Sequence, residues 1–82
     1  MNLENLRDAL SDIDRQIIDL IAERQRIVGD IGQSKVAHGT ATRDFAREKD
    51  VIGSGRDRAE AVGVDPELAE TILTELIRAS LA

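Results

Sequence analysis

The sequence predicts an all-α protein, with three helices per chain assembled as an intertwined antiparallel homodimer, and three observations carry that reading. The first 37 residues hold no proline, and their apolar side chains fall at alternating steps of three and four: Leu3, Leu6, Leu10, Ile13, Ile17 and Leu20, with Ile27 and Ile31 beyond. That spacing keeps one face of a 3.6-residue turn apolar and marks a packed helical seam. A helix from Leu3 to Ala37 is about 50 Å long at about 1.5 Å per residue, whereas a compact chain of 82 residues is about 30 Å across. The seam also reaches Ile31 without a turn signal. The overhanging part therefore calls for cover from another chain, and a symmetric pair of antiparallel long helices is the simplest arrangement. The alternative is a break at Gly29 or Gly32, each of which lowers helix propensity by about 1 kcal/mol. The unbroken seam favours one continuous helix.

The elements follow in order. Ile18, Ile21 and Val28 widen the stripe of the first helix toward a core-facing surface. Ala37 to Thr42 reads as a loop, with Gly39 as the helix terminator. Asp44 has the chemistry of an N-cap, with Glu48 in or near the first turn. The second helix runs to about Val62 and ends at Gly63. It reads as the weaker one, because Gly53 and Gly55 lie inside it and its apolar residues are sparse. Asp65-Pro66 restarts the chain with a capping carboxylate and a proline at the first helical position. The third helix carries Leu68, Ala69, Ile72, Leu73, Leu76 and Ile77 on one stripe, and Ser80 falls on the same stripe. With no repeat, low-complexity segment or internal boundary, residues 1–82 read as one domain.

Composition removes several classes of function. The chain lacks cysteine and has one histidine, His38, so thiolate metal sites, disulfides and histidine-built metal clusters are out of reach. The absence of cysteine fits a reducing cytoplasm. No apolar run approaches membrane-spanning length, and the amino terminus lacks the basic start and apolar core of a signal peptide. Sixteen acidic residues against eleven basic ones give a net charge of -5, and Phe45 is the only aromatic residue. Neither a basic face nor stacking platforms for nucleic acid are available. An anion would have to be bound by cations gathered locally against the overall charge.

Such a gathering is visible. The seam slot after Leu20 is occupied by Arg24, and a cation on a packing face is costly unless paired. Glu23 is adjacent but points to another face. Position alone leaves a structural pairing of Arg24 as open as a functional one. Lys35 lies eleven residues further on, on nearly the same face and about 16 Å along the helix. Arg7 is roughly 25 Å from Arg24, and shares a pocket with Lys35 only across an antiparallel dimer. Asp44, Arg47 and Glu48 share one turn of the second helix, which the loop could fold back over Lys35. The ordinary readings stand beside these. Arg15, Arg26, Arg56, Arg58 and Arg78 read as solvated, Asp44 as a cap, Ser80 as a satisfied small residue, and His38 as inert.

Together, the strings LRDALSDIDRQIIDLIAERQRIVGDIGQSK, TRDFAREK and GVDPELAETILTELIRAS resemble the all-helical type of chorismate mutase over essentially the whole chain. The combination carries the resemblance: LR near the start, the IDxxIIxLIAER run, a lysine eleven residues on, then DxxRE. The resemblance implies intertwined dimers of three-helix chains with two active sites, each built from both chains. It implies conversion of chorismate to prephenate, on the way to phenylalanine and tyrosine, with no cofactor. Carried over by residue, Arg7 would reach into the partner's site and hold a substrate carboxylate, and Arg24 would hold a carboxylate within its own chain. Lys35 would contact the ether oxygen of the breaking bond, Asp44 and Glu48 would sit near the ring hydroxyl, Arg47 would organise the charges, and Ser80 would contact a carboxylate.

The chain departs from the family's pattern in two places. The glutamine or glutamate that the family places about one turn after the serine is missing, since the sequence stops at Ala82. This suggests either a truncated third helix or one domain of a larger aromatic-pathway enzyme. Gly53-Ser54-Gly55 stands where ordinary helix formers are expected. Two other readings follow: an isochorismate pyruvate lyase on the same fold, or a weakly active dimerisation or regulatory module.

Overall fold

Asn2 opens the first helix. Its Oδ1 accepts the Asn5 N–H at 2.8 Å, which satisfies one of the donors a helix start leaves unpaired, and its carbonyl accepts the Leu6 N–H at 3.1 Å as the first bond of the helix ladder. In the computed structural model, residues 2–39 and 43–81 are described, and they form α1 (Leu3–Ala37), α2 (Phe45–Val62) and α3 (Pro66–Leu81), with no strand among them. Helix α1 runs unbroken for 35 residues. A Cβ at Gly29 or Gly32 would meet nothing within 4 Å, so the two glycines mark neither a break nor a close approach within the chain. His38, expected to be inert, helps to close the last turn: its N–H bonds the Ser34 carbonyl at 3.1 Å, and its Nδ1 lies 2.7 Å from the same oxygen. Gly39 follows in the left-handed region at φ +68°, where a glycine costs least. Thr40, Ala41 and Thr42 of the expected loop lie outside the described residues.

Asp44 caps α2 from an extended backbone, its Oδ1 accepting the Arg47 N–H at 3.0 Å. The helix continues through both internal glycines. Gly55 is there for room: a Cβ would overlap Leu73 Cδ1 of α3. The end is a Schellman motif. Gly63, at φ +79°, donates to the Glu60 carbonyl, and Val64 donates to the Ala59 carbonyl at 2.8 Å. Asp65 then accepts the Glu67 N–H at 3.0 Å, with Pro66 opening α3.

This short turn sends α3 back antiparallel along α2. Gly55 faces Leu73, and Arg56 pairs with Glu70 at 3.2 Å. Arg56, expected to be merely solvated, is thus a strut between helices, though at 40% exposure such a pair adds little stability. Arg15 and Arg78 do pair on the surface, each with a carboxylate on its own helix, Asp12 and Glu75. The far end of α3 meets the middle of α1, where Ser80 and Gln25 bond at 3.1 Å.

The molecule measures 56 × 23 × 18 Å, and its long dimension is the length of α1, about 52 Å at 1.5 Å per residue. Among the described residues only Ala59 is buried. Every residue from Asn2 to Leu20 except Ala9 is exposed, and the apolar seam is bare: Leu3 is 62% exposed, Leu10 58% and Ile17 49%. The accessible surface of 6573 Å² exceeds the roughly 4,900 Å² of an ordinary folded chain of this mass. The radius of gyration, 15.9 Å, likewise exceeds the value near 12 Å for compact chains. No helix among the described residues is long and apolar enough to cross a membrane.

Candidate active site

The seam stripe of α1 changes chemistry after Leu20. Arg24, Val28, Ile31 and Lys35 continue it at steps of four, three and four, and all four line a cleft of about 460 Å³. The first two turns of α2 form a second wall with Asp44, Arg47, Glu48 and Val51, which share a face because they lie three, four and seven residues apart. Ile77 and Ser80, one turn apart on α3, close the third side. Six of the seven residues singled out in the sequence, namely Arg24, Lys35, Asp44, Arg47, Glu48 and Ser80, therefore meet in one place. Arg7 does not. It is exposed on the bare half of α1, roughly 25 Å along the helix from Arg24.

The cleft also contains a residue that spacing did not expose. Arg43, just before the cap of α2, sends Nε and Nη2 to the two Glu48 carboxylate oxygens at 3.0 and 3.2 Å. Its guanidinium lies 4.2 Å from the centre of the Phe45 ring, within cation–π range. This fork geometry gives orientation as well as attraction. Glu48, 24% exposed, is thus held by its own chain, and Asp44 is occupied as a cap. Among the described residues, no ion pair involves Arg24, Lys35 or Arg47. Arg24 and Lys35 are half-buried, and the hydrogen bond recorded for the Arg24 side chain goes to the neutral amide oxygen of Gln25 at 3.2 Å. Three cations without counterions thus face an aliphatic floor of Val28, Ile31, Val51 and Ile77, in a chain whose net charge is -5. Such a surface suits a compact organic anion with more than one acidic group.

The helices and the cleft define an all-helical domain with a cleft walled by three helices, its cations supplied by α1 and by the start of α2. The chain belongs to the chorismate mutase type II family, whose model matches residues 6–82. It is 36% identical over 78 residues, 95% of its length, to a T-protein of Enterobacter agglomerans, and 32% identical over 80 residues, 98% of its length, to a T-protein of Haemophilus influenzae. Over 46 residues it is 44% identical to the bifunctional chorismate mutase/prephenate dehydratase of Buchnera aphidicola. The chain spans 21% of the length of each T-protein and 12% of the Buchnera protein. No solved structure matches it significantly.

Proposed function

We propose that this chain is a chorismate mutase, an isomerase that rearranges chorismate to prephenate on the route to phenylalanine and tyrosine, and that it works as a cytoplasmic homodimer with shared sites. The observation that carries the reading is the cleft, where Arg24, Lys35 and Arg47 converge beside Glu48 and Ser80, with no ion pair to any of the three cations among the described residues. The reaction is pericyclic: one C–O bond breaks as one C–C bond forms, and the electrons move within the substrate. It calls for no nucleophile and no cofactor. The protein must hold a flexible dianion in a compact chair-like shape, which converts orientation into rate.

Arg24 grips one carboxylate, with Ser80 beside it at the same end. Lys35 lies against the ether oxygen, where negative charge grows as the C–O bond stretches. A cation there binds the transition state more tightly than the ground state, and so raises turnover rather than affinity alone. Glu48, aimed by Arg43, and Asp44 face the ring hydroxyl, and Arg47 balances the local charge.

The second carboxylate belongs to the partner's Arg7. Two features of one protomer favour such a partner. Its surface exceeds that of an ordinary chain of its mass by roughly 1,700 Å², or about 3,400 Å² for two copies, within the range of obligate homodimer interfaces. The Leu3–Leu20 seam, the stretch that contains Arg7, is exposed along its whole length. Antiparallel pairing of two α1 helices covers both seams and carries each Arg7 toward the other chain's Lys35.

The direct test is chorismate consumption, followed through loss of its diene absorbance with products separated by chromatography. Saturable formation of prephenate by a dimer is the expected result. A folded dimer that leaves chorismate untouched would overturn the proposal, and release of pyruvate from isochorismate in its place would make the domain a lyase.

A further inference from the structure

Behind the cleft, one neutral side chain joins two of its walls. Gln25 does not line the cleft, yet its Oε1 accepts from Arg24 Nη1 at 3.2 Å and lies 3.1 Å from Ser80 Oγ. A guanidinium can only donate, so the amide oxygen must be the atom that faces it. The Ser80 hydroxyl has one proton, which goes to Gln25 or to the Leu76 carbonyl at 2.8 Å. Among the described residues, Ser80–Gln25 is the one side-chain hydrogen bond between α1 and α3.

We propose that Gln25 is a positioning residue: it aims the Arg24 guanidinium and ties Ser80 to α1, while leaving the charge of Arg24 free for a substrate carboxylate. The inference rests on reading the cleft as a dicarboxylate site. A half-buried arginine is ordinarily stabilised by a carboxylate, which accepts the same bonds more strongly and cancels the charge. An amide at this place fixes direction without cancelling charge. Arg24 then stays ordered in the empty cleft and still attracts an anion.

Two substitutions in the full chain test this, Gln25→Glu and Gln25→Met, each checked for helicity and oligomeric state. If Gln25 only joins helices, Gln25→Glu keeps both acceptor bonds and behaves as the unaltered protein, while Gln25→Met is the damaged variant. If Gln25 positions an uncancelled cation, the order reverses. Gln25→Glu raises KM for chorismate about tenfold or more with kcat changed far less, the pattern of lost uniform binding, and Gln25→Met raises KM only a few-fold. A wild-type KM in Gln25→Glu overturns the proposal. Should Gln25→Met fail to fold, Gln25→Glu alone decides, because the two roles predict opposite results for it. Should the unaltered protein neither bind nor convert chorismate, the functional reading fails by itself. Gln25 is then judged by the Arg24 Nε–H NMR signal: an Arg24 signal unmoved by both substitutions overturns the positioning role, and a signal broadened or shifted by them supports it.

Discussion

From Leu3 to Leu20 one stripe of α1 holds only leucine and isoleucine, and from Arg24 to Lys35 the same stripe brackets Val28 and Ile31 with two cations. The backbone is the same continuous helix in both halves, so the difference lies entirely in what each surface needs to be complete. The first half needs area. Any complementary apolar face satisfies it, and a second copy of the same face is the simplest one available. The second half needs charge of the opposite sign in a set geometry, and the chain supplies α2 and α3 as walls but leaves the cations open. The apolar half can therefore act as the assembly device for the polar half, and each can be broken without touching the other's residues.

The largest effect is expected from putting a charge into the seam. Ile17→Asp would force a carboxylate into an apolar interface, a cost of several kcal/mol that corresponds to a loss of dimer affinity of about 10³-fold or more. Sedimentation equilibrium reads it directly. If this substitution leaves the mass and its concentration dependence unchanged, the seam is not the interface. Next is Lys35→Ala, which breaks the polar half alone. The dimer should persist while kcat falls by about 10³-fold, the scale of a lost transition-state charge contact. The same variant sharpens the relation between the halves. Mixed with Arg7→Ala after unfolding and refolding together, it should recover roughly a quarter of the activity, because half of the randomly paired dimers carry one intact site. If Arg7 served its own chain, mixing would restore nothing.

Much of the molecule was legible in the sequence because local rules decided it. The bounds of α1, the Asp44 cap and the Asp65-Pro66 restart each follow from a short pattern whose physics is complete within a few residues. The gathering of Arg24 and Lys35 followed from helical spacing. Three things were hidden for equally physical reasons. Neighbours at i and i+1 on a helix do not ordinarily face each other, so nothing in the order Arg24-Gln25 signals their bond. Arg43 precedes the cap of α2, and its reach to Glu48 depends on how the chain enters the helix. Gly55 reads as a weakness of α2 until Leu73 of α3 is known to lie over it. That contact is between residues far apart in sequence, which no local pattern records.

Gly55 offers a paired test of this contrast between local and long-range signals. A Cβ at Gly55 overlaps Leu73, whereas one at Gly53, two residues earlier on the same helix, meets nothing within 4 Å. Gly55→Ala should cost about 1–3 kcal/mol through forced repacking. Gly53→Ala should stabilise by about 0.5–1 kcal/mol, because it removes backbone freedom from the unfolded chain at no steric cost. Denaturant unfolding of both, at one protein concentration, gives the sign of each. Equal effects would mean that Leu73 does not occupy the place described.

The smallest effect separates two duties of one residue. Asp44 belongs to the cleft wall and also caps α2, and its two jobs require different things of the side chain. Capping needs only an acceptor oxygen, which asparagine supplies about as well as aspartate, while alanine costs about 1 kcal/mol. A role at the cleft depends on the negative charge itself. Asp44→Ala should therefore lower both stability and activity, whereas Asp44→Asn should match the unaltered protein in unfolding and differ from it only in turnover. If Asp44→Asn is indistinguishable in both, the carboxylate serves the helix alone, and the negative charge of the cleft reduces to Glu48 in its fork with Arg43.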